Sequence, residues 1–396
     1  MRKPGSPYNI LFYLHDANRS FDINGKAISP LIDGLKERLI KRNYRFIDFK
    51  TPGSRLEGLR RKNDIVLSMD KLIFCVRILR KILKVFFSKT AFDPMTFFFK
   101  WILLKYDIDK IIGIGLPMHL CKAANELKIH SAELLHGMGY ILDPWGWNKI
   151  NRDFLPHTVF ALDSISEKTF KKIQNRNLNV KKIPHPFYTL KNKLFLDQIN
   201  IYKDYLNNAS KNYTHKVVYS LQWSFEPFCR NLNFSYPLKY NDQIFITFLK
   251  LLKRTKATAF WFFRLHPVQL RDKNLSRNLV NNLKIVRQNF KNFDWEICSA
   301  APLTSCAHIA TEHITYNSMT AYDLAYFGIP TFAFAPTTNT EDPFADLFPD
   351  LIESKIVHKG SLNEQEIYKW IHSPKKNFRQ PPFCKSWKNF DQWIER

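Results

Sequence analysis

The feature that most constrains the fold is a series of short apolar runs, each ended by polar residues or glycine and followed by a helical pattern. The clearest run is WFFRLHP, from Trp261 to Pro267. Continuous apolar runs of this kind are typical of strands buried on both faces of a parallel sheet. Pro267 lacks an amide hydrogen and ends the strand. The run therefore predicts a buried strand whose carboxyl end presents Arg264 and His266.

A second segment repeats this order of elements further along the chain. Asn317, Ser318 and Thr320 precede a helical pattern from 321 to 326, and an apolar strand pattern then follows from 329 to 334. Ser318 or Asn317 suits the N-cap of that helix. Ligands of open parallel sheets lie beyond the carboxyl ends of the strands, where helix N-termini also point. The two segments together predict a site for a phosphate group.

The amino-terminal half shows the same alternation of strands and helices. Tyr8 to Leu14 reads as a strand, and Leu31 to Lys41 reads as an amphipathic helix that starts with Ser29 at the N-cap and Pro30 at the first position. Arg45 to Phe49 reads as the next strand. This is the pattern of an α/β fold.

A further strand, from Lys110, runs into Gly113 and Gly115. A complete dinucleotide-binding glycine motif is absent, so we interpret these glycines as sites of close backbone packing. Asp107 and Asp109 have the spacing of a metal-binding pair, but aspartate is common in turns before strands. We therefore predict no required metal ion.

The second half of the chain resembles the nucleotide-binding domain of GT-B glycosyltransferases. The similarity is to the bacterial capsule, lipopolysaccharide and teichoic-acid branch, with its sialyltransferases, Kdo transferases and CDP-glycerol glycerophosphotransferases. It rests on the RLHP segment at 264–267, the NSMT segment at 317–320 and the strand with its exit loop at 217–222. The resemblance implies an α/β fold of two Rossmann-like domains that face each other across a cleft. It also implies a metal-independent enzyme without cofactors, which moves a sugar or sugar acid from a nucleotide donor to a hydroxyl of a growing surface polysaccharide or lipopolysaccharide.

The resemblance also implies which residues bind the donor. A CMP- or CDP-linked donor is favoured, and UDP or GDP stays open. The absence of a clear acidic-acidic-glycine motif argues against sialic acid as the transferred sugar. One of two carboxylates, Glu312 or Asp323, is expected to bind the ribose. The complete set of expected donor-binding residues is Arg264, His266, Asn317, Ser318, Thr320, Asp323, Glu312 and Gln222.

The acceptor is expected to meet residues of the first domain. His136 follows a short apolar strand and is similar to the His-Gly motif of the glycerophosphotransferases. Histidine titrates near neutral pH and suits the base that takes a proton from an attacking hydroxyl. Asp16 competes for this role, and Glu133 is a candidate for orienting the histidine. Arg19 would hold an acidic group. For acceptor stacking, the candidates are Trp145 and Trp147.

The chain is predicted to have two domains and a tail. Residues 1–185 form the acceptor domain, 186–214 the linker, 215–360 the nucleotide-sugar domain, and 361–396 a helical tail that packs back on the first domain. The six cysteines show no CxxC pair, so neither a zinc site nor a disulfide framework is indicated.

The net charge of +25 requires an explanation. Residues 71–89 place cations beside an apolar helical face, which indicates either an interfacial segment or a buried helix with basic edges. With a lipid-linked acceptor, we expect a cytoplasmic enzyme peripheral to the anionic inner membrane surface.

Two other functions are compatible with the sequence. A sugar-nucleotide 2-epimerase shares the expected fold and would change its sugar without an acceptor. A nucleic-acid-binding protein would explain the charge, but no recognisable module arranges aromatic and basic residues for it. We therefore expect nucleotide-sugar donor, glycan or lipid-linked acceptor and membrane as partners, and no nucleic acid.

Overall fold

The computed structural model describes residues 8–14, 21–23, 26–40, 42, 44–51, 64–86, 93–173, 178–189, 193–221, 239–266, 269–270, 273–316, 318–335, 347–375 and 383–396. By its internal contacts the chain divides into two units. The first comprises Met1–Phe195 together with Phe383–Arg396, and the second comprises Leu196–Pro382.

Within the described residues, the first unit contains a seven-stranded parallel sheet in the order β5-β4-β1-β6-β7-β8-β9, and a small antiparallel pair, β2-β3. The strands are β1 (Tyr8–Leu14), β2 (Phe21–Ile23), β3 (Lys26–Ile28), β4 (Tyr44–Lys50), β5 (Ile65–Ser68), β6 (Lys110–Gly113), β7 (His130–Leu134), β8 (Thr158–Ala161) and β9 (Asn179–Lys182). The helices are α1 (Pro30–Leu39), α2 (Asp70–Phe86), α3 (Pro94–Lys105), α4 (Met118–Glu126), α5 (Ser164–Lys171) and α6 (Lys193–Ser210), the last containing the boundary between the units.

The second unit contains a six-stranded parallel sheet within its described residues, in the order β12-β11-β10-β13-β14-β15. Its strands are β10 (His215–Ser220), β11 (Ala259–Arg264), β12 (Phe293–Asp294), β13 (Glu312–Thr315), β14 (Thr331–Ala335) and β15 (Val357–Ser361). Its helices are α7 (Lys239–Arg254), α8 (Lys273–Asn289), α9 (Glu296–Ala300), α10 (Leu303–Ala307), α11 (Thr320–Tyr326), α12 (Pro349–Glu353) and α13 (Glu364–His372). The α/β class predicted from the sequence is confirmed.

Strand β11 shows why the second sheet is buried on both faces. Its aromatic side chains alternate: Trp261 and Phe263 join one apolar cluster, and Phe260 and Phe262 join another. Successive side chains of a strand point to opposite faces, so the two clusters lie on opposite sides of the sheet. A continuous aromatic run is therefore what this position in the sheet requires.

Two glycines in the first unit are fixed by close approach of the backbone. A Cβ at Gly113 would lie 2.7 Å from the Cβ of Tyr13, and a Cβ at Gly34 would lie 2.5 Å from the carbonyl oxygen of Pro186. The first distance confirms the packing interpretation of Gly113. The second shows that the chain around Pro186, where the sequence places the start of the linker, packs directly on α1.

The chain ends in helix α14 (Lys388–Glu395), which packs on the first unit. Phe390 and Trp393 are buried against Phe160 of β8, with ring centroids 5.5 and 5.2 Å away. Asp391 accepts hydrogen bonds from Arg38 and Arg42. Residues 361–382, which the sequence analysis joins to this tail, belong to the second unit.

Among the described residues, no helix is both long enough and apolar enough to cross a membrane.

Candidate functional site

Three strands of the second sheet end side by side. In the parallel register, Ser220 at the end of β10 is aligned with Arg264 at the end of β11 and with Thr315 at the end of β13. Neighbouring strands are about 4.8 Å apart, so the backbones of Arg264 and Thr315 lie roughly 10 Å apart. The strands that lead into the two segments singled out in the sequence therefore end at the same side of the sheet.

This edge is also where the strand order reverses. The chain passes from β10 outward to β11 and β12 on one side, and to β13, β14 and β15 on the other. In open α/β sheets, ligands bind at such a switch point, outside the carboxyl ends of the strands. The position between β10 and β13 is therefore the expected ligand site of this unit.

Ser318 is held at the switch point by hydrogen bonds from the strand end. The Thr315 hydroxyl donates to the carbonyl oxygen of Ser220 at 3.0 Å, and the Ser318 amide donates to Thr315 Oγ1 at 3.2 Å. The Ser318 hydroxyl oxygen accepts from the Thr320 amide at 3.3 Å and also contacts the Thr320 hydroxyl. Two hydroxyl groups thus lie together immediately before α11.

The helix start differs slightly from the prediction. Helix α11 begins at Thr320 with Met319 as the N-cap residue, so Ser318 precedes the cap by one residue. Its hydroxyl makes a local turn with Thr320 instead of a standard cap. Thr315 was not among the residues predicted for the site, although a threonine as the last residue of a buried strand was an available signal.

A buried histidine supports the same edge from within the sheet. His313 makes hydrogen bonds at 3.0 Å through both ring nitrogens, one to Ser220 and one to Thr331. Burial lowers the pKa of His313 to about 3, so its ring is neutral. It fixes the end of β10 without adding charge to the site.

Arg264 has backbone partners that the sequence did not reveal. Its Nη1 donates to the carbonyl oxygens of Cys298 and of Ala301, the latter at 2.8 Å. These carbonyls lie at the end of α9, where backbone acceptors have no partners within the helix. These bonds make Nη1 a clamp between β11 and α9. The phosphate contact expected of the guanidinium stays a prediction, since its other N–H groups are not used by this clamp.

His266 lies two residues beyond the end of β11 and is half-buried. Its amide donates to Gln269 Oε1 at 2.8 Å, and the Gln269 amide donates back to the His266 carbonyl at 2.8 Å. The bond to the Gln269 side chain corresponds to one half of a capping box, while the other bond joins two backbone groups. Together they fix the backbone at His266. Pro267 lies outside the described residues.

The two candidate ribose ligands are separated by the fold. Asp323 is buried in the first turns of α11, close to Thr320. Glu312 is the first residue of β13, at the opposite end of the strand from Thr315, and its carboxylate bonds to His215 at 2.9 Å. Glu312 is therefore corrected to a structural role. Gln222 and Asn317 lie outside the described residues.

In the first unit, His136 follows β7 and is half-buried. The Tyr140 hydroxyl lies 3.0 Å from His136 Nε2 and 3.2 Å from Nδ1, and the Trp145 ring meets the imidazole edge-on with centroids 6.2 Å apart. Tyr140, another residue that sequence analysis missed, orients the ring.

The loop that carries His136 is fixed by α5. Gly139 has a φ of 76°, which favours glycine, and its amide donates to Asp163 at 3.0 Å. Asp163 also accepts from the amide and hydroxyl of Ser166, at 2.9 and 2.5 Å. Burial raises the pKa of Asp163, while these hydrogen bonds oppose the shift. The histidine therefore lies on a loop with a defined backbone.

Glu133 supports a different loop from the one expected. Its carboxylate accepts from the amides of Gly115 at 2.6 Å and Leu116 at 2.8 Å, in the turn after β6. Burial raises the pKa of Glu133 to about 8, opposed by these two hydrogen bonds. Both carboxylate oxygens of Glu133 accept hydrogen bonds in the β6 turn, so the hypothesis that Glu133 orients His136 is corrected to support of that turn.

The two tryptophans pack on each other. Their rings stack with centroids 5.2 Å apart, and both contact Phe170 of α5. Trp147 is buried in an apolar cluster with Leu135 and Phe170, which corrects its predicted acceptor role to core packing. Trp145 is half-buried beside His136. Asp16 and Arg19 lie outside the described residues.

Asp107 and Asp109, which the sequence indicates as turn residues despite their metal-like spacing, have structural partners. Asp109 accepts from the amide of Asn9 at 2.7 Å, and the Asp107 carbonyl accepts from the Asn9 side chain at 3.1 Å. Across the described ranges, no group of three or more His, Cys, Asp or Glu side chains has the arrangement of a metal site.

Comparison with solved structures places this geometry in a known architecture. The UDP-GlcNAc 2-epimerase from Methanocaldococcus jannaschii is 14% identical, with 98% of each chain covered and a TM-score of 0.56. The chain has the GT-B fold. The wall teichoic acid polymerase TagF is similar over 98% of this chain and 87% of its own, at 12% identity and a TM-score of 0.57.

A third similar structure is the UDP-GlcNAc 2-epimerase from Neisseria meningitidis, solved with UDP-GlcNAc bound. It is 10% identical, covers 98% of this chain and all of its own, and has a TM-score of 0.56. No family model and no curated protein sequence matches the chain. At these identities the similarity establishes the fold.

Proposed function

We propose that this protein is a GT-B glycosyltransferase that moves a sugar or sugar acid from a nucleotide-activated donor to a hydroxyl of a growing bacterial surface glycan. The observation that carries the proposal is the alignment of Ser220 with both Arg264 and Thr315, which brings the carboxyl ends of β11 and β13 to one switch point. A CMP- or CDP-linked donor is favoured by the resemblance of these segments, with UDP and GDP as the alternatives.

In this proposal the donor phosphate lies beside Ser318, Thr320 and His266. Hydroxyl groups held in fixed positions stabilise the charge that develops on the leaving phosphate oxygen. Arg264 positions the edge through α9, and Asp323 is the remaining candidate for the ribose. No metal ion or other cofactor takes part.

His136 is the proposed base. As the acceptor oxygen bonds to the anomeric carbon, the bond from that carbon to the phosphate oxygen breaks and the hydroxyl proton passes to the imidazole. Tyr140 keeps the ring oriented for this transfer through its hydrogen bond. Trp145, at the edge of the same ring, is the proposed acceptor contact.

A thermal-shift screen against CMP, CDP, UDP and GDP and their sugars tests the donor site. One nucleotide should raise the melting temperature of the wild type, because a ligand that binds only the folded state stabilises it. Ser318→Ala and Thr320→Ala should reduce that rise, and His136→Ala should leave it unchanged. A rise that all three variants retain would refute the assignment.

The second candidate is a nucleotide-sugar 2-epimerase, favoured by the two similar epimerase structures. Incubation with the stabilising nucleotide sugar alone separates the two functions. An epimerase changes the sugar in the absence of an acceptor, whereas a transferase requires an acceptor to consume the donor.

A further inference from the structure

Helices α2 and α3 of the first unit expose an unusual amount of apolar side chain. On α2, Phe74, Ile78 and Ile82 recur every four residues and are exposed, Phe74 by 64%. On α3, Phe97 and Leu104 are exposed by 61% and 65%. The α2–α3 surface comprises the exposed apolar residues of both helices, Leu72, Phe74, Ile78, Leu79, Ile82, Phe97, Trp101 and Leu104.

Both helices are firmly attached to the unit by their other faces. Ile73 of α2 is buried in the same apolar cluster as Phe98 and Phe99 of α3. Arg80 of α2 lies 3.6 Å from Asp93, whose carboxylate caps α3. The exposed stripes are therefore presented by a fixed scaffold, and α2 is not a buried helix with basic edges, which was one of the two sequence interpretations.

Cations accompany this apolar surface. Between Asp70 and Asp93 the sequence has six lysines and arginines and no acidic residue. Arg77 and Lys81 are exposed and, like the apolar residues, lie four apart on α2. Lys105 places its ammonium group 4.6 Å from the ring centroid of Trp101 on α3.

We propose that the α2–α3 surface docks on an anionic lipid bilayer. Eight exposed apolar side chains on two helices that contact each other exceed the scattered ones that are normal on a soluble protein. An apolar helix face with adjacent cations is the pattern of segments that lie in the plane of a membrane interface. Phe and Trp side chains enter the headgroup boundary, while Arg77 and Lys81 meet the lipid phosphates. The cations favour a lipid surface over an apolar protein partner. An anionic bilayer offers negative headgroups directly beside its apolar interior, which matches cations that border an apolar face.

Co-sedimentation of the full chain with vesicles tests the proposal without relying on enzymatic activity. One set contains phosphatidylcholine alone and the other also contains phosphatidylglycerol. We expect binding to the second set that weakens with salt. Arg77→Gln/Lys81→Gln should weaken binding about 25-fold, because each cation near the surface contributes a factor of roughly five. Phe74→Ser/Ile78→Ser should weaken it at least about 10-fold through lost apolar burial.

The matched control is Ile246→Ser/Ile285→Ser, which removes two exposed isoleucines of the second unit and should bind vesicles like the wild type. Nucleotide-induced stabilisation, measured on all variants, should be unchanged. Absence of vesicle binding, or equal binding by all three variants, would overturn the proposal. So would a wild-type dimer that Phe74→Ser/Ile78→Ser converts to a monomer without any vesicle binding, since the occupant would then be a second copy.

Discussion

Replacing Arg264 should destabilise the second unit even in the absence of a ligand. The guanidinium donates charge-assisted hydrogen bonds to the carbonyls of Cys298 and Ala301. Such bonds contribute about 1.5–3 kcal/mol each, so Arg264→Ala should lower the free energy of unfolding by about 3 kcal/mol or more. In a unit of this size the melting temperature should fall by roughly 6–12 °C. The melting temperature of Arg264→Lys should lie between those of the wild type and Arg264→Ala, because one ammonium group lacks the guanidinium fork.

The assay is thermal unfolding of each variant with and without the stabilising nucleotide. The control is Lys284→Ala, which removes an exposed cation of α8 and should change the free energy of unfolding by no more than about 0.5 kcal/mol. An Arg264→Ala protein that melts like the wild type without ligand, yet gains nothing from nucleotide, would show that the arginine binds the donor directly. The clamp assignment would then be wrong.

Three further predictions concern the first unit. Lys36 is buried 2.7 Å from Asp48 and 3.6 Å from Asp33, so Lys36→Met should cost about 3–5 kcal/mol in denaturant unfolding, and adding Asp48→Leu should recover part of it. The folded-state pKa of Glu133, raised to about 8 from an ordinary 4.5, means that the folded protein holds an extra proton between these values. Stability should therefore fall from pH 5 to pH 8 in the wild type, and a Glu133→Gln protein with the same slope in melting temperature against pH would contradict this. Tyr140→Phe should reduce the turnover rate roughly 5- to 10-fold by loss of one hydrogen bond to His136, with nucleotide-induced stabilisation unchanged.

The sequence was most informative about the bounds of individual strands and helices. β1 was predicted with its observed bounds, and Ser29 and Pro30 start α1 as expected. These features depend on local apolar runs, capping and proline geometry, all of which are visible within a few residues. The antiparallel pair β2 and β3 was missed, because each strand has only three residues.

The roles of single polar side chains were harder to predict. Arg264 bonds to carbonyls 34 and 37 residues away, and Glu133 bonds to amides 18 and 17 residues away. The sequence does not show which backbone donors and acceptors lie near a given side chain. A charged residue at a strand end therefore has the same sequence pattern whether it binds a ligand or a neighbouring turn. Trp147 was misjudged for a related reason, since only the fold reveals that Phe170 covers it.

The first sheet also has a switch point, and its polar groups bond to the protein itself. The strand order reverses between β1 and β6, with β4 and β5 on one side and β7, β8 and β9 on the other. There Gly113 packs against Tyr13, and Glu133 reaches across from β7 to hold the amides of Gly115 and Leu116. Those two amides are satisfied by a protein carboxylate, so they are not available to a phosphate. At the switch point of the second sheet the corresponding position carries the hydroxyls of Ser318 and Thr320 instead. The two sheets thus share their strand order, apart from the additional β9, but differ in chemistry. If the proposed function holds, this difference favours the second unit for nucleotide binding.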